Sequence, residues 1–233
     1  MFITDERALV LERKLVIADM HLGITREIYN RGVSLPSQVP RFLERIHRLK
    51  KITGADELVL LGDVKHNIPW ISFQELKEVP LLLSTLKFRK ITILKGNHDG
   101  KIEMLVPREL QEKISVRKSM IVGDYLLAHG HRNVRTKRSM IIGHNHPNVK
   151  FVDAVGNSYI EPAWIKSKIG SQRVIIMPAF NELAGSMVVN DASASSEGYR
   201  PFLGPIAKKV SKERAKAFLL DGTNLGFLKD LKS

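Results

Sequence analysis

Seven of the eight histidines in this sequence fall just after short apolar runs. They are His21, His66, His98, His129, His131, His144 and His146, and they stand close to Asp19, Asp63, Asn97 and Asp99. Imidazole, carboxylate and one amide oxygen, without sulfur, make a ligand set for Mn²⁺, Fe or Zn²⁺, whereas Ca²⁺ prefers oxygen alone. So many donors suit two ions. In a two-metal site about 3.5 to 4 Å wide, a bridging carboxylate holds the ions together while they clamp the attacking and leaving oxygens of a phosphoryl transfer. Asp63 is the natural bridge. His144 and His146, at i and i+2 of an extended segment, share one face and can each reach a different ion, whereas Asp19 and His21, at the same spacing, can converge on one ion if the strand curls at its end. His47 lies within a helical pattern and is assigned no role.

These side chains need elements that end at one place. Residues 91–94, Ile-Thr-Ile-Leu, read as a buried central strand running into Gly96-Asn97-His98-Asp99-Gly100, and open α/β sheets put their ligands at the C-terminal ends of such strands. Runs 9–11 and 15–18 read as a paired entry into the sheet, the second ending in Asp19-Met20-His21. Val39, Phe42, Ile46 and Leu49 recur at helical spacing until Gly54, and run 57–61 then forms a strand ending in Gly62-Asp63-Val64-Lys65-His66. Ser72 and Glu75 have the form of a capping box for a further helix, which Pro80 is expected to kink or divide. Strands alternating with helices predict a parallel sheet with right-handed crossovers. Beyond Gly100 the chain turns β-rich, with runs at 119–122, 125–128, 140–142, 151–155 and 173–177. Segment 190–198 reads as a flexible surface loop, 208–216 as a short basic helix and 217–228 as a closing sheet edge.

A length of 233 residues with 43% hydrophobic residues predicts one domain, 1–233. The absence of cysteine excludes disulfides and thiolate ligands. The charged start, residues 1–7, has no apolar signal core, and no apolar run approaches the roughly 20 residues of a membrane span, so a soluble, cytoplasmic protein is expected. A net charge of +13 favours a polyanionic partner, nucleic acid first. Arg132, Arg135, Lys137 and Arg138 lie between two histidine-bearing segments as candidate phosphate contacts.

Asp19-x-His21, Gly62-Asp63, Gly96-Asn97-His98-Asp99, His129-Gly130 and Gly143-His144-x-His146 resemble, in order, the five motifs of the calcineurin-like metallophosphoesterases. Pro178-Ala179-Phe180-Asn181 also resembles the small stand-alone prokaryotic branch related to double-strand-break-repair nucleases. The resemblance implies a four-layer α/β/β/α sandwich and two divalent ions, Mn²⁺ first, with Fe, Zn²⁺ or Ni²⁺ as alternatives. It implies that Asp19, His21, Asp63 and His146 hold one ion and Asp63, Asn97, His129 and His144 the other, with a hydroxide between them as nucleophile. His98 is left as general acid or phosphate contact, Asp99 orients its ring, His66 resembles a histidine of the repair nucleases, and His131 is a supporting or solvated residue. The expected activity is hydrolysis of phosphodiesters, nuclease-like, although the sequence does not continue into the capping domain that larger repair nucleases use to orient DNA. The alternatives are a phosphomonoesterase or small-nucleotide hydrolase, in which the same arginines bind a terminal phosphate, and a non-catalytic metal-stabilised nucleic-acid-binding module, which would have no reason to keep His98.

Overall fold

The computed structural model describes residues 2–153, 155–191 and 201–231. Strands β1 (Ala8–Leu11) and β2 (Lys14–Ile17) form the antiparallel entry. β3 (Glu57–Leu60), β4 (Lys90–Leu94) and β5 (Ile114–Arg117) follow in parallel, giving a five-stranded sheet of order β1-β2-β3-β4-β5. The crossovers carry α1 (Ile24–Asn30), α2 (Val39–Thr53) and α3 (Phe73–Thr85). A second sheet of nine strands is built from β6 (Ser119–Val122), β7 (Tyr125–Ala128), β8 (Ser139–Ile142), β9 (Pro147–Val152), β10 (Ser158–Ile169), β11 (Gln172–Ile176), β12 (Met187–Val188), β13 (Lys216–Leu219) and β14 (Asn224–Phe227).

Period-two alternation builds the layers. Leu15, Ile17, Leu58, Leu60, Ile91 and Ile93 pack on Phe42, Ile46, Leu49, Val79, Leu82 and Leu83 of α2 and α3. Their neighbours Val16, Val59, Leu61 and Leu94 face Leu127, Ile141, Trp164 and Met177 of the second sheet. The outer face of that sheet is covered by Phe202, Val210 and the single-turn helix α4 (Gly204–Ala207). The α/β/β/α order is as expected, with the fourth layer reduced to one turn of helix and irregular chain.

Ser72 accepts from Glu75 N–H, and the Glu75 carboxylate accepts from Ser72 N–H at 2.6 Å, so the capping box forms. Gly54 closes α2 in the left-handed region, φ 62°. Pro80 does not divide α3: the donor it lacks would have served the carbonyl of Leu76, a half-exposed residue whose backbone water can reach. The helix expected over 208–216 is absent. Val210 and Ala215 are buried five residues apart, off helical spacing, and Lys216 already starts β13. The edge expected at 217–228 is present, because β13 pairs with β10 and β14. Of the expected loop 190–198, positions 192–198 lie outside the described residues. Among the described residues, no helix is long and apolar enough to cross a membrane.

Candidate metal centre

Both sheets deliver their strand ends to one point. β2, β3 and β4 run into Asp19-x-His21, Asp63 and Asn97-His98-Asp99, while β7 and β8 run into His129 and into His144-x-His146. Nine described non-glycine residues have positive φ, and five of them are Asp19 (57°), His21 (45°), Asp63 (48°), His144 (70°) and His146 (42°). A left-handed backbone is unfavourable for a residue with a Cβ, so its concentration here marks where the fold spends conformational energy to aim side chains. Two glycines make room for them. A Cβ on Gly96 would stand 2.0 Å from Asp63 Oδ1, and one on Gly62 would stand 2.3 Å from the His129 ring.

Asp19, His21 and His146 form one group, and Asp63, His129 and His144 another, each offering three donor atoms within 4.8 Å of one another. The groups adjoin: His129 Nε2 is 2.8 Å from Asp19 Oδ1 and 3.4 Å from Asp63 Oδ2, and His21 Nε2 is 3.8 Å from Asp63 Oδ2 and 3.4 Å from His146 Nε2. His146 Nδ1–H donates to the Gly185 carbonyl at 2.7 Å, which turns Nε2 inward. Phe180 N–H and the Asn181 side chain donate to the carbonyls of Ala18 and Met20, clamping the segment that carries Asp19.

The electrostatics call for a cation. Burial raises Asp63, and despite the opposing pull of His129 the anions Asp19 and Asp99 help to push its pKa up to about 7. Burial works in the same direction at Asp19, but His146 and His129 outweigh it and hold that carboxyl below the usual range. Burial disfavours charge on His129 and His146, yet their carboxylate neighbours raise both. Burial and the charge of His129 push His144 down to about 4, leaving a neutral imidazole as a ligand requires. A buried carboxylate that keeps a proton near neutrality lacks positive charge, and these nitrogen and oxygen donors are those of divalent transition metals.

Other expected residues gather around this centre. His98 Nε2 lies 3.9 Å from Asp63 Oδ2, and its Nδ1–H donates to the His66 carbonyl. The His66 ring stacks on that of His98, centroids 5.6 Å apart; its Nδ1 faces His21 Nδ1 at 3.3 Å, and its Nε2–H donates to Glu27 at 2.7 Å. His21, His66 and His98 thus form a third group with donor atoms within 4.8 Å. Asp99 does not orient His98. Its carboxylate accepts from the backbone N–H groups of Val64, Lys65 and Gly96, because those donors line the turn while the His98 Nδ1–H is taken by the His66 carbonyl. Asn97 lines, with His129, His131 and Arg132, a cleft of about 290 Å³ that also includes Lys95 and Lys118. His131 Nδ1 lies 3.0 Å from His129 Nδ1, and burial beside that ring pushes its pKa down to about 4, which leaves it a neutral imidazole against the His129 ring. Arg135, Lys137 and Arg138 are exposed outside the cleft, and Arg138 donates to the Gly123 carbonyl. Glu27 and Lys65 escape sequence reasoning: Glu27 lies on α1 away from any strand end and Lys65, though it follows β3, is not a metal-ligand type, yet Glu27 holds His66 while buried Lys65 donates to the carbonyls of Asn67 and Trp70.

The family model described as Calcineurin-like phosphoesterase matches residues 13–196. The chain belongs to this family. As a calcineurin-like phosphoesterase it is a metal-dependent hydrolase of phosphate esters. Among solved structures, it is similar to the Pseudomonas putida nuclease MPE, at 21% identity over 90% of this chain and 85% of that one, with a TM-score of 0.58, a likeness of fold. The E. coli phosphoesterase Yfce matches at 16% identity over 91% and 96% of the two chains, with a TM-score of 0.39. No curated protein matches the chain.

Proposed function

We propose that this calcineurin-like phosphoesterase cleaves phosphodiester bonds in nucleic acid, acting in the cytoplasm as one domain over 1–233. Asp19, His21, Asp63 and His146 would hold one divalent ion and Asp63, Asn97, His129 and His144 the other, Mn²⁺ first and Fe, Zn²⁺ or Ni²⁺ as alternatives. The ions supply Lewis-acid charge for the phosphoryl oxygens and for the attacking water. The observation that carries the reading is the His98–His66 pair beside the donor groups. With Nδ1–H committed to the His66 carbonyl, His98 directs Nε2 toward the centre, where a proton can be given to a leaving oxygen. Burial holds its pKa below the ordinary histidine value, against the pull of that carbonyl and of Asp99, so protonated Nε2 releases its proton readily. Support for a single domain comes from β13 and β14, which lie beyond the matched segment yet join the sheet of β10.

His66→Ala tests the choice of substrate. The backbone carbonyl that holds His98 stays, while the imidazole at the rim is lost. A diester carries one negative charge on its phosphate where a monoester can carry two, so it depends more than a monoester does on a polar ring at the rim. Hydrolysis of a nitrophenyl diester is expected to fall roughly tenfold or more, selectively against the monoester. Equal losses on both substrates would remove His66 as evidence for diester cleavage.

The basic loop makes a second measurable claim. Replacing Arg132, Arg135, Lys137 and Arg138 by Ala is expected to flatten the dependence of log affinity on log salt by about 0.7 to 0.9 for each phosphate that the loop no longer neutralises. Arg132, which alone of the four lines the cleft, should carry the largest share. An unchanged slope on labelled DNA would show that the cluster only faces solvent.

A further inference from the structure

We propose that Trp70 and Phe73 form a platform on which bases of a single-stranded nucleic acid stack while its phosphate lies at the metal centre. This rests on the diesterase reading above. The chain has two tryptophans. Trp164 is fully buried and stacks on Phe2, whereas Trp70 is 72% exposed, and Phe73, three residues on, is 87% exposed. Large aromatics left this open on a soluble surface mark a binding face.

The position of the pair argues for nucleic acid. Trp70 leaves the same turn as His66, and that turn is tied down: Lys65 donates to the carbonyls of Asn67 and Trp70, and Glu75 accepts from the N–H groups of His66 and Asn67. On the other side Lys101 Nζ lies 5.6 Å from the Trp70 ring centroid, and Lys101 follows His98-Asp99-Gly100 directly. The ring therefore lies between the loops that carry His66 and His98, with a cation over one face and the other face left for a base. An aromatic face beside a positive charge, continuous with a phosphate-handling centre, is the combination that holds a single strand without reading its sequence. A base in a duplex is already stacked and has no free face to offer, so the platform selects unpaired ends, loops or single strands.

Because Trp164 is buried, Trp70 is the tryptophan whose emission an oligonucleotide can quench. The full chain is titrated with oligothymidylate in EDTA, so that no bond is cut, following tryptophan emission and the anisotropy of a labelled strand. Quenching is expected on binding. Trp70→Ala should lose the quenching and weaken single-strand affinity by roughly five- to a hundredfold, while a duplex of equal length is affected less. Trp70→Phe should lose the quenching but keep most of the affinity. Unchanged affinity in Trp70→Ala overturns the platform, and if light scattering shows at the same time a shift in oligomeric state, the patch belongs to self-association instead. A chain that binds single strands through Trp70 but cleaves no diester when metal is restored overturns the diesterase reading and keeps the platform.

Discussion

Asp63→Asn is expected to abolish metal binding and hydrolysis together, with the fold retained. The substitution keeps an oxygen to accept the His98 backbone N–H, now bonded to Asp63 Oδ1 at 2.9 Å, but removes the negative charge that belongs to one donor group and lies 3.8 Å from His21 of the other. Losing several kcal/mol of metal-derived stabilisation lowers turnover on the order of 10³-fold or more. The pH dependence separates this from simple damage. The carboxyl has its ordinary pKa of 3.8 when unfolded and about 7 when folded, so between these values the folded chain holds a proton that the unfolded chain has released. Stability of the metal-free protein should therefore fall as pH rises from about 4 to about 7, while metal affinity, which requires loss of that proton, should rise across the same window. In Asp63→Asn the part of the stability trend that this carboxyl carries should be lost, leaving that of buried Asp99, and in EDTA at pH 8 it should melt above the parent. Elemental analysis and thermal melts at pH 5 and 8 check this; two ions retained in the mutant would overturn the bridging role.

His98→Ala should behave in the opposite way toward metal. Turnover is expected to fall roughly 10²- to 10⁴-fold, the range for losing a positioned proton donor, with both ions still bound. The parent rate should decline as pH rises through the lowered pKa of His98, since the acid form is consumed, and that limb should be missing from the mutant. Because His98 also groups with His21 and His66, metal content is the decisive reading: loss of an ion would make His98 a ligand and not an acid.

The site was legible because its donors follow apolar runs that could only be buried strands, and the parallel order of β2, β3 and β4 then brings those ends together. What escaped has physical causes. β10 carries Pro162 and the exposed lysines Lys166 and Lys168, which obscure its alternation, and β5 has only Ile-Ser-Val-Arg to announce it. α1 follows Gly23 with only Ile24 and Thr25 buried, too few for an apolar stripe. Asp99 misleads because adjacency in sequence suggests a side-chain pair, whereas the turn presents three backbone donors that a buried carboxylate satisfies first. The basic loop reads as one cluster, yet a loop can aim only some of its residues at a cleft, and here Arg132 is the one so aimed.

The centre draws Asp19, His21 and Asp63 from one sheet and His129, His144 and His146 from the other, with up to 126 residues of chain between the outermost pair. Such a site cannot nucleate folding, since closing so long a loop is unfavourable until both sheets have formed and docked. Cation capture is then a closing event, made after the transition state. Ions that bind this late leave the refolding rate almost unchanged and slow unfolding instead, so the lifetime of the native chain tracks the free metal concentration around it.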